Sequence, residues 1–131
     1  MAHLITFTSS RFDVSAERPN PINAIAGEGV LKWLRAKLVA AGYEATSPEP
    51  EDWGWYIYVN GGGMSYLVGA SSDVDHSTPR EWIIQIHRER TLIDKLFGKN
   101  KLAENDSLTT HIEEVIRESE GGKDVQADRS A

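Results

Sequence analysis

The chain has 131 residues, no cysteine, 26% charged residues and a formal net charge of -6. That length supports one core without a staple, and the missing cysteines exclude thiolate catalysis, cysteine-ligated zinc and a disulfide scaffold. A pI near 5.2 argues against phosphate-backbone binding, no apolar run approaches the ~18 residues of a membrane helix, and residues 1–7 lack the basic and long apolar regions of a secretory signal, so the expected setting is the cytoplasm.

His3 to Thr8 is β-branched and aromatic and runs into a Ser-Ser-Arg turn cluster, which predicts a strand. Residues 9–26 contain Pro19-Asn20-Pro21-Ile22-Asn23, where each proline removes a backbone donor and pushes its predecessor out of the α region, so this stretch is a loop. It offers Arg11, Asp13, Asn20 and Asn23 to a ligand, or else plugs the fold with asparagines that satisfy backbone groups, the reading we favour. From Glu28 to Ala41 the period becomes helical: Val30, Leu31, Leu34, Leu38 and Ala41 fall in a stripe about 100° wide, with Trp33 on its shoulder and Gly42 as a left-handed stop.

Tyr43 to Thr46 is a short strand ended by Ser-Pro-Glu-Pro-Glu-Asp, and Trp53 to Val59, aromatic and β-branched, carries the strongest strand signal. Asn60 to Gly63 is a hairpin turn, Met64 to Ala70 the returning strand, Ser71 to Pro79 a loop, and Glu81 to His87 alternates with period two. Thr91 to Asp94 has the form of a capping box that opens a helix of about two turns, with Leu92, Ile93, Leu96 and Phe97 on one apolar side and Gly98 at its end. A further helix starts within Asn105 to Ser107 and runs to about Ser119 on a stripe of Leu108, Ile112, Val115 and Ile116. Residues 121–131 read as a polar, flexible tail after a single domain over residues 1–120. The order β-α-β-β-β-β-α-α predicts an α+β fold, a mostly antiparallel sheet of about five strands packed against helices, its first crossover right-handed if the strands it joins are parallel neighbours.

With Gly61 and Gly62 as the loop residues, Val59 faces Met64, Ile57 faces Tyr66 and Trp55 faces Val68. One face then collects Trp53, Trp55, Ile57, Val59, Met64, Tyr66, Val68, Trp82, Ile84 and Ile86, the natural partner of the helical stripes. The other collects Tyr56, Tyr58, Ser65, Leu67, Gly69, Glu81, Ile83, Gln85 and His87. Rings with a polar tip are enriched at binding surfaces, so Tyr56, Tyr58 and Leu67 beside His87 form a candidate contact patch, unless a loop such as residues 9–26 covers them.

Residues 48–80 and 100–131 each hold an excess of four acidic over basic residues. The hairpin brings Trp53 and Ala70 to one end of the sheet, which gathers Glu49, Glu51 and Asp52 with Asp73 and Asp75 as an acidic rim beside Tyr56 and Tyr58. Such a rim steers a basic partner. Glu113, Glu114, Glu118 and Glu120 read as the solvent side of a helix.

Asp73-x-Asp75-His76 lacks the glycine and distal glutamate of a calcium loop and reads as a polar turn. His3, His87 and His111 have no fixed spacing to each other or to a serine nucleophile, and Gly61 to Gly63 precedes a strand and lacks the Lys-Ser/Thr of a phosphate loop. The sequence therefore leads us to expect no catalytic residue, metal or cofactor, and no nucleic-acid or membrane partner.

The Thr-Ser-Ser-Arg-Phe-Asp stretch, the Pro-Asn-Pro-Ile-Asn loop, the Leu-Lys-Trp-Leu-Arg helix and Glu-Asp-Trp-Gly-Trp-Tyr resemble a family of small, uncharacterised bacterial proteins, a likeness that transfers no catalytic residue. In size, acidity and lack of a catalytic constellation the chain also resembles, in style, the immunity proteins of contact-dependent growth inhibition systems. That resemblance implies a non-enzymatic protein that occludes a basic toxin domain, a nuclease for example, through Glu49, Glu51, Asp52, Tyr56, Tyr58, Asp73 and Asp75. The alternative is a small enzyme or ligand-binding domain using residues 11–23 and His87.

Overall fold

The computed structural model describes residues 2–72, 80–99, 101–119 and 122–129. Its strands are β1 (His3–Ser9), β2 (Glu44–Ala45), β3 (Glu49–Glu51), β4 (Gly54–Gly61), β5 (Met64–Ser72), β6 (Arg80–Arg88) and β7 (Lys123–Asp128). Its helices are α1 (Glu28–Ala40), α2 (Leu92–Phe97) and α3 (Ser107–Glu118). All strand pairs are antiparallel, in one seven-stranded sheet of order β2-β4-β5-β6-β1-β7 with β3 also on β4. The α+β fold is as the sequence implies, with two strands more than expected.

Both additional strands lie at sheet edges, where intrinsic signal is least needed. In β3, Pro50 sits opposite Trp55, and an edge strand tolerates proline because its missing N–H leaves no inner ladder bond unmade. Lys123–Asp128, read from sequence as part of a flexible polar tail, instead pairs with the free edge of β1. Only Val125 of this strand packs on the core. A cross-link holds its end: the Arg129 guanidinium donates to the Glu113 carboxylate at 2.9 Å and to the Glu104 carbonyl at 2.8 Å. Hydrogen bonds from Arg129, then from Arg117, hold the Glu113 carboxyl below its usual range against the opposing effect of burial. The first crossover joins no parallel neighbours, since β1 lies between β6 and β7 while β2 lies at the far side of β4.

The hairpin turns on Gly62 and Gly63, both at positive φ (61° and 76°), as the tight turn between twisted strands requires. Val59 therefore pairs with Tyr66, Ile57 with Val68 and Trp55 with Ala70, two residues along from the pairing read off the sequence. A slide of two residues leaves the paired side chains of β4 and β5 on their expected faces, whereas a slide of one would have inverted them.

One face of the sheet is core. Ile5 and Phe7 of β1, Trp55, Ile57 and Val59 of β4, Tyr66 and Val68 of β5 and Trp82, Ile84 and Ile86 of β6 are buried with Leu31, Leu34 and Leu38 of α1 and Leu108, Ile112 and Ile116 of α3. Buried polar groups anchor α3: Asp106 caps the Leu108 and Thr109 amides with one carboxylate oxygen and accepts the Tyr66 hydroxyl at 2.7 Å with the other, while His3 bonds Thr109 at 2.7 Å. Burial first, then the bond to Asp106, raises the Tyr66 phenol far above its ordinary range, so it stays a donor.

Loop 9–26 closes this same face. Phe12 meets Trp33 and Trp82 edge-on, and the Trp55 indole N–H donates to the Ile25 carbonyl at 3.1 Å. Gly27 starts α1 without a side-chain cap of its own; Glu17, ten residues upstream, accepts from the Gly27, Glu28 and Gly29 amides instead. Asn20 donates to the Glu51 and Gly54 carbonyls and accepts from the Ile22 and Asn23 amides, and Asn23 donates to the Asp52 carbonyl. These asparagines do the work of a plug.

Candidate functional site: the open sheet face

Because α1, α3 and loop 9–26 all pack on one side, the other side of the sheet carries no covering element among the described residues. Pairing places Leu4 and Thr6 of β1, Glu44 of β2, Glu49 and Glu51 of β3, Tyr56 and Tyr58 of β4, Leu67 and Gly69 of β5, and Ile83, Gln85 and His87 of β6 on it. No large side chain of this set is fully buried, and Tyr58 is 45% exposed.

Trp53 belongs to this face, not to the core face that strand alternation predicts. Gly54 has φ 149°, a conformation side chains avoid, and the chain reverses there between β3 and β4. The Trp53 ring consequently lies over Gly69, in space that a Cβ at position 69 would take. Its centroid is 6.5 Å from that of Tyr56, which meets Tyr58 edge-on at 5.5 Å. Three rings thus form a row, with Leu67 opposite Tyr58 beside it.

Carboxylates border the row. Glu49 pairs directly with Tyr56, and Glu51 lies two residues further along the same face. Burial, then Tyr58, Glu49 and Glu51, pushes the Tyr56 phenol above its ordinary value, so its hydroxyl remains neutral beside the acids. The basic residues of β6, Arg80 and Arg88, stand opposite Ser9 and Tyr66 and so share the helix-side face. Across the described residues of β1 to β6, no lysine or arginine falls on the open face. His87 does, at 3.2 Å from the Gln85 amide oxygen, and burial lowers its pKa, which favours the neutral imidazole.

Of the residues singled out from sequence, the structure brings Glu49, Glu51, Tyr56 and Tyr58 onto one surface. Asp52 lies in the adjoining turn with an exposed side chain. Asp73 and Asp75, the far half of the expected rim, lie outside the described residues, as does the Asp73-x-Asp75-His76 motif. The groups of the alternative site are separated by the sheet: residues 11–23 lie on the helix side and His87 on the open side. Arg11 is stacked 5.3 Å from the Trp33 ring centre, Asp13 caps a 3-10 turn at Ser15, and both asparagines bond backbone. A groove of about 260 Å³ along Glu17, Arg18 and Asn20 is lined by groups already engaged in the fold. Among the described residues no three His, Asp or Glu side chains converge as metal ligands, and no helix is long and apolar enough to cross a membrane.

Gly69 offers a handle on the row. Gly69→Ala puts a methyl where the Trp53 ring lies and is expected to lift that ring into water while the core face stays intact. Tryptophan emission should shift to the red, and the same substitution in a Trp53→Phe background should leave emission unchanged.

Compared with family models, with curated proteins and with solved structures, the chain matches none.

Proposed function

We propose that this protein is a cytoplasmic immunity protein of the contact-dependent growth inhibition kind, a toxin–antitoxin partnership in which it acts by binding and not by catalysis. Its partner on this reading is a basic toxin domain, such as a nuclease, whose active cleft the open sheet face covers. The single observation that carries the reading is a broad face, uncovered among the described residues, that joins Trp53, Tyr56 and Tyr58 to Glu44, Glu49 and Glu51 with no lysine or arginine on it from β1 to β6.

The division of labour follows from the chemistry. Carboxylates around the rings attract a cationic cleft from a distance and occupy the groups that would otherwise hold phosphate, raising the association rate. The rings supply rigid, desolvatable area, and such aromatic anchors dominate binding energy at interface centres. A footprint of about 800 Å² per partner takes roughly a tenth of this molecule's 7479 Å² surface, an area the face can supply.

The first test is whether a toxin domain is encoded beside this chain's gene, and its absence there counts against the reading; such a domain is then the binding probe. Glu49→Lys with Glu51→Lys should slow association about tenfold or more at low salt, with the difference shrinking as salt rises. Tyr56→Ala should instead speed dissociation, at a cost of about 2 kcal/mol in affinity. Association and dissociation rates untouched by both variants would remove the open face from the interface.

A further inference from the structure

Among the described residues the most exposed apolar group is on α2. Thr91 and Asp94 form a reciprocal capping box at its start, and Gly98 closes it in the left-handed conformation, so local signals alone define the helix. No residue of it is buried: Leu92 is 82% exposed, Leu96 75%, Phe97 68% and Ile93 65%. Together they leave on the order of 500 Å² of apolar residue surface in water, at the upper end of what a monomer tolerates. A six-residue helix is also far too short to persist through its own hydrogen bonds.

The segment carrying it has the opposite charge to the rest of the chain. Arg88 to Lys101 contains five basic and two acidic residues, a local +3 in a chain of net charge -6. Lys95, Lys99 and Lys101 are exposed around the helix. The open sheet face is the complement in both respects, with unpartnered rings, aliphatic side chains and carboxylates but no lysine or arginine across β1 to β6. The exposure of all four α2 side chains shows that the two surfaces do not meet within one chain.

We propose that α2 of one copy of this chain docks on the open sheet face of a second copy. Leu96 and Phe97 pack on the Tyr56–Tyr58–Leu67 region, and Lys95 and Lys99 lie toward Glu49 and Glu51. One such contact buries about 1,000 Å² in total, at the weak end for a specific interface; two reciprocal contacts about a two-fold axis bury about 2,000 Å², within the range of specific interfaces. Charge complementarity selects the sheet of a second copy over an anionic surface of another kind, because the acidic face is itself uncovered. This inference does not rest on the toxin reading, although it uses the same face: a toxin would have to displace the second copy.

Sedimentation velocity of the full chain alone, from low to high micromolar concentration, tests the proposal with no toxin present. The wild type should be a dimer that dissociates on dilution. Leu96→Glu with Phe97→Glu, which alters only exposed positions, and separately Glu49→Lys with Glu51→Lys, should each weaken dimerisation at least about tenfold while circular dichroism stays unchanged. Mixing the Glu49→Lys/Glu51→Lys variant with Lys95→Glu/Lys99→Glu should restore hetero-association. A wild type that is monomeric throughout, or a dimer indifferent to both variants, overturns the proposal. So does a monomer that co-sediments with phosphatidylglycerol vesicles through Leu96 and Phe97, which would assign the helix to a lipid surface. Each of these failures leaves the toxin reading untouched, since toxin binding is measured separately.

Discussion

Replacing Trp55 with alanine is expected to cost about 3–5 kcal/mol of folding stability, as truncation of a large buried aromatic does. Trp55 is 1% exposed on the core face near the start of β4, and three neighbours depend on its ring. Its indole N–H satisfies the Ile25 carbonyl, the Arg18 guanidinium lies 5.2 Å over it, and its edge and the Ala70 carbonyl crowd Gly27 so closely that a Cβ there would collide. Alanine therefore opens a cavity, strands a carbonyl and frees the loop that carries Glu17 to the start of α1. Trp55→Phe retains a packed ring and loses chiefly the hydrogen bond, a cost nearer 1–2 kcal/mol. Against a total of about 5–15 kcal/mol for a domain, the alanine variant should sit close to its unfolding threshold at ambient temperature. Urea titration with an unchanged slope measures both, and equal losses for the two variants would show that the ring's volume does not hold the loop.

Arg18→Met is the second large effect, and pH exposes its cause. Glu28 is fully buried at the first turn of α1, where it accepts from the Arg18 amide at 2.8 Å, forms an ion pair with the Arg18 guanidinium and has the Lys32 ammonium at 3.6 Å. Burial by itself would raise the Glu28 pKa; the bonds from Arg18 and the charges of Arg18 and Lys32 overcome it and hold the carboxyl below its ordinary value. A depressed carboxylate contributes stability above the unfolded-state pKa of about 4.3 and loses that contribution as pH falls through the folded value. Removing the guanidinium leaves a buried, half-compensated charge, at an expected cost of about 3 kcal/mol at neutral pH. In the variant the Arg18 amide and Lys32 remain, but the guanidinium's bond and charge are gone, so the Glu28 pKa rises from its wild-type position and the ionised carboxylate contributes less to stability above it. The gap between wild type and Arg18→Met should thus be wide at neutral pH and close toward about pH 4. A gap independent of pH would mean that Arg18 acts only by packing on Trp55.

Elements set by neighbours in sequence were legible before the fold was known. The α2 caps, Thr91 and Gly98, lie where the residue types place them, because a capping box and a left-handed stop are closed within one turn. Alternation sorted Trp55, Ile57, Val59, Tyr66 and Val68 onto one face even with the hairpin pairing two residues out, since parity survives an even slide. Trp53 defeated the same rule because Gly54 interrupts the strand with a backbone no other residue adopts readily, and alternation does not extend across such a point. The Glu17 cap was invisible for another reason: it reaches α1 across a loop whose shape depends on Asn20, Asn23 and Trp55 at once. Lys123–Asp128 carries no strand pattern and becomes a strand only because β1 offers it an unpaired edge.

By itself, then, the sequence determined an acidic chain, its principal helices and strands, and that Tyr56 and Tyr58 share a face with Leu67 and His87. Those follow from short-range sterics and from periodicities of two and 3.6 residues, which each segment carries locally. The pairing of β3 on β4 is what adds Glu49 and Glu51 to that face. Only the tertiary structure decided that loop 9–26 closes the helix side, that Trp53 joins Tyr56 outside, and that the apolar side of α2 stands exposed. Two faces of this sheet carry rings and aliphatic residues, and which one is covered depends on contacts between segments far apart in sequence, whose relative free energies no local pattern encodes. The chain's negative charge acquires its meaning from that outcome: the face left uncovered among the described residues is the one that keeps its carboxylates and carries no lysine or arginine on β1 to β6.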